Sequence, residues 1–139
     1  MTALLDTNII MDALQERQPF DLEAKEILLR AQHAEFLCYF TANAVTDIFY
    51  LYRKARDLKS ARRVLAFLLA MYKIVSVTHE DCSNAMSVPI EDFEDALVSV
   101  CARKAGADYI VSRDGQYLRE NSPIVVMEPR DFLLKLTKK

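Results

Sequence analysis

The sequence predicts an α/β fold in which a parallel sheet is covered by helices on both faces. Two observations carry this reading. Short apolar stretches alternate with longer amphipathic ones along the whole chain. The short stretches are continuous apolar runs without polar alternation, as strands buried on both faces require.

Ala3 to Leu5 is the first strand, ending at Asp6. A short helix follows from Ile9 to Gln15, with Asn8 as its cap, and Pro19 breaks it. Asp21 to Gln32 sets Leu22, Ala24, Ile27, Leu28 and Ala31 on one helical face, with Asp21 as N-cap. Glu35 to Phe40 is aromatic and apolar and reads as the second strand. Thr41 caps a helix running from Ala42 to about Ala55. Asp57 opens the next helix, whose Leu58, Ala61, Val64, Leu65 and Leu68 share a face. The β-branched run Lys73 to Val77 is a third strand, and His79 to Met86 a short helix. Beyond the break at Pro89, Glu91 to Lys104 forms a helix that Gly106 ends. Tyr109 to Val111 is the fourth strand and leads into Ser112-Arg113-Asp114-Gly115; Ile124 to Met127 is the fifth; Pro129 opens a last helix. No repeat or linker interrupts this order, so residues 1–139 are expected to form a single domain, frayed at Lys138-Lys139.

Composition narrows the function. With 139 residues, 52% of them hydrophobic, the chain can build a full core without disulfides or a structural metal. Its two glycines, Gly106 and Gly115, cannot form a glycine-rich phosphate loop or a dinucleotide fingerprint. Cys38, Cys82 and Cys101 are odd in number and widely spaced, which argues against zinc and for a reducing, cytoplasmic setting with the cysteines in the core. The opening residues reach a charge at Asp6, too early for a secretory leader, and no apolar run approaches the ~20 residues of a membrane helix. The net charge of −2 lacks the basic balance of a typical nucleic-acid binder. The basic residues do cluster, at Arg53, Lys54, Arg56, Lys59, Arg62 and Arg63. That cluster reads as a solvated helix surface, a phosphate-binding rim or a docking site for an acidic partner.

The acidic residues are more telling. Ligands of open parallel sheets bind outside the carboxyl ends of the strands, and Asp6 and Asp114 stand at two such ends. Asp47 and Asp95 fall inside helices, where aspartate is a mediocre residue. Asp95 borders the apolar Ala96, Leu97, Val98 and Val100, so its carboxylate is unfavourable there unless paired or metal-bound. Plainer readings exist: Asp47 solvated, Asp95 opening a helix capped by Asp92, Asp6 bonding the helix behind it. If the four converge, like charges raise one another's pKa until a cation relieves them. An oxygen-only donor set without His or Cys suits Mg²⁺ or Mn²⁺. Two such ions, about 3.5–4 Å apart, activate water and stabilise the leaving oxygen of a phosphodiester.

Three segments carry a family resemblance: Leu4-Leu5-Asp6-Thr7-Asn8-Ile9-Ile10-Met11-Asp12, Asp92-Phe93-Glu94-Asp95-Ala96-Leu97, and Ala107-Asp108-Tyr109-Ile110-Val111-Ser112-Arg113-Asp114. In this order and spacing they resemble the PIN domain, and more narrowly the VapC-like toxin ribonucleases. The resemblance implies a three-layer α/β/α sandwich with a five-stranded parallel sheet ordered 3-2-1-4-5. It implies an Mg²⁺- or Mn²⁺-dependent endoribonuclease that hydrolyses RNA with metal-activated water, acting as the toxin of a type II toxin–antitoxin pair. The implied catalytic set is Asp6, Asp47, Asp95 and Asp114, with Asp6, Asp95 and Asp114 on the metal. Thr7, Asn8, Asp92 and Ser112 would support it. A small antitoxin and a second copy of the chain are the implied protein partners.

One departure stands out. The family's second acidic position is usually glutamate, and here it is Asp47, one methylene shorter. Asp92, three residues before Asp95 and on about the same helix face, is the residue that could take over. Ser112 in place of threonine keeps the hydroxyl.

Outside the motifs, Arg113 is the candidate for gripping an RNA phosphate, beside Asp114. Asp12 reads as a helix-surface residue, and His33 and His79 as surface residues. Tyr39, Phe40, Phe49, Tyr50 and Tyr52 read as core or interface, with Phe49 and Tyr52 able to join two subunits. Two other functions are weighed. A PIN-like binding module with little catalysis is favoured by Asp47. A phosphoryl-accepting domain is disfavoured because Asn8 stands where its second acid would be.

Overall fold

The computed structural model describes residues 1–138. Its strands are β1 (Thr2–Leu5), β2 (Leu37–Thr41), β3 (Lys73–Val75), β4 (Tyr109–Val111) and β5 (Val125–Met127). They form one sheet in the order β3-β2-β1-β4-β5, every pair parallel. This is the order the family resemblance implies. The helices are α1 (Thr7–Leu14), α2 (Asp21–Gln32), α3 (Ala42–Ala55), α4 (Leu58–Met71), α5 (His79–Ala85), α6 (Phe93–Lys104), α7 (Gly115–Arg119) and α8 (Pro129–Thr137).

Strand residues alternate between the two faces, and both faces are buried. Ala3 and Leu5 join Cys38, Phe40 and Val111 in one core, against Ile9, Ile27, Ile48 and Phe132 of α1, α2, α3 and α8. Leu4 and Ile110 turn the other way and pack with Ala85, Val98 and Cys101 of α5 and α6. With no solvated face to feed, the strands have no reason to carry polar residues at every second position.

The differences from the sequence reading lie at element ends. α1 begins at Thr7, and its N-cap is Asp6 rather than Asn8. α2 is preceded by Phe20 as N-cap, so Asp21 is its first helical residue and not its cap. The second strand starts at Leu37 because the residues before it close α2: Ala34 takes a left-handed conformation (φ 58°), and the Glu35 N–H donates back to the Arg30 carbonyl. The third strand stops at Val75, and the Ser76 carbonyl beyond it accepts from Lys104 Nζ at 2.7 Å. α6 begins at Phe93, with Asp92 as N-cap. α7 was not foreseen; five residues hold too little periodicity to read. Leu22 lies one position off the buried Asp21–Ala24–Leu28 stripe and is exposed, as is Leu58 in the first turn of α4.

Cys38 and Cys101 are buried, and burial pushes the Cys38 thiol pKa up and that of Cys101 up to about 11. His33 and His79 are exposed. No helix among the described residues is long and apolar enough to cross a membrane. Of the basic end, Lys138 caps α8, whereas Lys139 lies outside the described residues.

α8 closes the first core through Phe132, which is fully buried and edge-on to Phe36 at 4.9 Å between centroids. Truncation to alanine removes a large ring that has no other filler. Phe132→Ala is therefore expected to lower unfolding free energy by about 3–5 kcal/mol, measured by urea denaturation.

Candidate active site

The strand order reverses between β1 and β4: the chain moves one way from β1 through β2 to β3, then returns to the far side of β1. Such a switch point leaves a crevice at the carboxyl ends of the two strands. Asp6 follows β1 there, its N–H donating to the Val111 carbonyl at 2.9 Å. Ser112 to Asp114 follow β4, with the Ser112 N–H donating to the Met127 carbonyl at 3.0 Å.

Asp6 is held on both oxygens. Its Oδ1 accepts from the Thr7 N–H at 2.8 Å, which caps α1. Its Oδ2 accepts from the Ser112 hydroxyl at 2.8 Å and from Asn8 Nδ2 at 3.3 Å. A carboxylate offers about four lone-pair sites, so three bonds fix its plane and leave about one site open. Asn8 Nδ2 also donates to Ser112 Oγ at 3.3 Å, and the Asp114 N–H donates to that same oxygen at 3.1 Å. Thr7, Asn8 and Ser112 thus tie the two strand ends together around Asp6. Thr7 does so through its backbone.

Asp6 lines a cleft of about 290 Å³ together with Asp92, Glu94, Asp95 and Asp114. Asp92 caps α6, accepting from the Asp95 N–H at 3.1 Å, and Asp114 caps α7, accepting from the Gln116 N–H at 3.0 Å. Helix capping explains why acids stand at these positions, and the topology brings both caps to one place. Burial pushes the Asp95 carboxyl up to about 7, reinforced by the charges of Asp92, Asp6, Asp114 and Glu94. Burial likewise raises Asp6 against the lowering effect of its Ser112 and Thr7 hydrogen bonds, with Asp114 and Asp92 adding to the rise. Glu94 is raised by burial and by Asp47, Asp6 and Asp92.

A hard divalent cation fits this donor chemistry: the ionisable donors are carboxylates, and their mutual repulsion contributes to the raised Asp6, Glu94 and Asp95. Asn43, one turn before Asp47 on α3 and outside the cleft lining, has a buried side-chain oxygen without a hydrogen-bond partner among the described residues. Among the described residues no three His, Cys, Asp or Glu side chains stand ready as a metal cage. Ion binding must therefore draw the carboxylates inward or proceed through bridging water.

The sequence-predicted residues are distributed unevenly. Asp6, Asp95 and Asp114 share the cleft with Thr7, Asn8 and Asp92. Asp47 stands beside it: Leu51, one turn later on the same face of α3, lines the cleft, and the Asp47 charge acts on Glu94. One expectation is corrected, and one candidate is found paired elsewhere. Asp12 is not a surface residue but 1% exposed, because every residue of α1 from Ile9 to Ala13 is buried. Arg113 does not reach into the cleft: its Nε and Nη2 donate to Asp12 at 2.5 and 3.0 Å, and its guanidinium lies 4.1 Å over the Phe20 ring. Sequence reasoning missed Glu94, hidden within the acidic motif beside Asp95, and Arg17, which lies in a loop without periodicity.

Behind the acids, Tyr117 is fully buried with its hydroxyl 2.5 Å from Ser99 Oγ, which also meets Ser122 Oγ at 3.1 Å. This contact seats α7, and so Asp114, on α6. Elsewhere, α3 and α4 enclose an open groove of about 520 Å³ lined by Val45, Phe49, Tyr50, Leu65 and Leu69, with Arg62. Phe40 is core, whereas Tyr50 is 60% exposed.

The family model of the PIN domain matches residues 2–116. The chain belongs to the PIN domain family. Among solved structures, it is similar to the sarcin–ricin-loop-cleaving toxin VapC20 of Mycobacterium tuberculosis, at 17% identity and TM-score 0.69 over 88% of this chain and 98% of that one. DNA-bound VapBC of Salmonella typhimurium matches at 10% identity and TM-score 0.70 over 93% and 98%. A toxin–antitoxin complex of Klebsiella pneumoniae matches at 19% and 0.68 over 91% and 97%. At these identities the likeness is one of fold. No curated protein is similar enough in sequence to count as a match.

The raised Asp95 carboxyl has a consequence for stability. A carboxyl held at about 7 in the folded chain, against 3.8 ordinarily, binds its proton more tightly folded than unfolded. Its contribution is thus fully present below about pH 4 and is lost as pH rises through about 7. In EDTA, the melting temperature is expected to fall between those values more steeply for the parent than for Asp95→Asn, as followed by differential scanning fluorimetry.

Proposed function

We propose that this chain is a divalent-metal-dependent endoribonuclease that hydrolyses RNA phosphodiester bonds, and that it is the toxin of a type II toxin–antitoxin pair. The observation that carries the reading is the convergence of Asp6, Asp92, Glu94, Asp95 and Asp114 at the switch point, where burial and the neighbouring charges push the Asp95 carboxyl up to about 7. Mg²⁺ or Mn²⁺ bound there would supply a water of lowered pKa and positive charge for the leaving oxygen. Asp6, Asp95 and Asp114 are the residues to hold it, with Asp47 completing the catalytic set at the edge of the cleft.

The chain's own groups prepare that chemistry. Ser112, Asn8 and the Thr7 N–H fix the Asp6 carboxylate, so its open lone pair needs no reorganisation. Asp92 holds the first turn of α6 and thereby sets the position of Asp95. Seating of α7 by Tyr117 and Ser99 does the same for Asp114.

A small antitoxin is the proposed protein partner, and its support is the solved VapBC complexes that share this fold. The groove between α3 and α4 is apolar but carries Arg62, and the same two helices and their connection carry Arg53, Lys54, Arg56, Lys59 and Arg63, which suits a partner that is apolar on one face and acidic around it. Homodimerisation and a cytoplasmic setting belong to the same proposal. A catalytically weak RNA-binding module is the second reading, favoured by the lack of a preformed three-donor cage among the described residues.

Purified protein free of any partner is expected to cleave a mixed RNA pool with Mg²⁺ or Mn²⁺, to stop in EDTA, and to lose activity at least a hundredfold on Asp6→Asn or Asp95→Asn with the fold retained, as is typical when a catalytic group is lost. Parent protein that is folded, metal-loaded and inert would favour the binding-module reading. Asp47→Glu is expected to keep or raise the cleavage rate, because the longer side chain reaches further towards Glu94 and the cleft; a large loss would take Asp47 out of the catalytic set.

A further inference from the structure

Two guanidinium groups share one buried carboxylate beside the cleft. Arg113 occupies both oxygens of Asp12 with two hydrogen bonds. Arg17 reaches the same carboxylate, Nη1 to Oδ1 at 3.7 Å. One negative charge meets two positive ones, and the closer pair belongs to Arg113. The unbalanced positive charge therefore sits on Arg17, whose side chain is 37% exposed and lines the acidic cleft.

Arg17 is also fixed in place. Its Nε and Nη2 donate to Gln15 Oε1 at 3.1 and 2.8 Å, and Gln15 Nε2 donates in turn to the Leu51 carbonyl of α3 at 3.4 Å. Its backbone N–H donates to the Asp12 carbonyl at 3.1 Å. Among the described residues its ion-pair partner is Asp12, not a carboxylate of the cleft. A guanidinium held along one edge keeps donors on the other, and its planar fork matches two oxygens of a phosphodiester. A phosphate approaching five acids needs such a counter-charge.

We infer that Arg17 is the phosphate-binding residue of the cleft and that Asp12 is the residue that positions it. This rests on the nuclease reading. Arg113, the expected phosphate ligand, serves instead to neutralise Asp12 so that Arg17 stays free to act.

The test measures binding of a fluorescent mixed-sequence single-stranded RNA 20-mer by anisotropy, in Mg²⁺ over a series of KCl concentrations. The parent is Asp95→Asn, which blocks cleavage. Adding Arg17→Ala is expected to weaken binding about tenfold and to reduce the slope of log K against log salt by about 0.7. Arg17→Lys should keep the slope and recover part of the affinity, since it keeps the charge but not the fork. Asp12→Asn should weaken binding too, and the Asp12→Asn/Arg17→Ala combination should be no weaker than Arg17→Ala alone, because Asp12 acts through Arg17. If Asp12→Asn lowers the melting temperature, the two Arg17 variants decide the matter by themselves. Unchanged affinity and slope in folded Arg17→Ala would overturn the inference and leave the nuclease reading standing. A folded parent that binds no RNA would also overturn the inference, whereas the nuclease reading is decided separately by metal-dependent cleavage with the unsubstituted chain.

Discussion

Asp6 connects three parts of the molecule through two oxygen atoms. It ends the central strand, caps the first helix and, through Ser112, grips the loop that follows the neighbouring strand. Strand exit, helix entry and strand pairing would each tolerate some freedom alone. Sharing one carboxylate, they fix one another. The cleft inherits that rigidity, because Asp114 hangs from the same Ser112 hydroxyl.

The acids around Asp6 show how local rules build a site. Asp92 and Asp114 are good helix caps, and each satisfies a backbone N–H that would otherwise be orphaned. Capping alone would place them anywhere on the surface. The reversal of strand order brings these helix starts to one crevice, where their charges burden Asp95 and Asp6. The same residues thus stabilise helices and destabilise their own ionised neighbours, a conflict of the kind expected at functional sites.

Much of this was legible in the chain. The alternation of apolar runs and helical stretches gave the layered parallel sheet, because the physics of two buried faces leaves so plain a mark on strands such as Leu4-Leu5 and Ile110-Val111. The sheet order came from the resemblance of three motifs and not from any pattern of periodicity. Asp6, Asp95 and Asp114 could be singled out by their places after strands and beside an apolar face. Asp12 could not: it is buried with the middle of α1 and bonded to Arg113, 101 positions away, and no local pattern encodes a partner at that distance. Glu94 and Arg17 escaped for a similar reason: side chains near an element's end take their direction from tertiary contacts. The start of the second strand was misjudged by two residues, because the turn at Ala34 that closes α2 took Glu35 and Phe36, which read as strand.

The order of the strands also sets a timetable. β1 emerges first during synthesis, yet its neighbour on one side is β4, more than a hundred residues later. Until that partner slots in, Asp6 has neither Ser112 nor Asp114 beside it. A nascent chain on the ribosome therefore carries no completed cleft until β4 and the loop after it have been made, since domains close as units. The carboxylate cleft is therefore a product of long-range closure and has no half-built form in the first hundred residues.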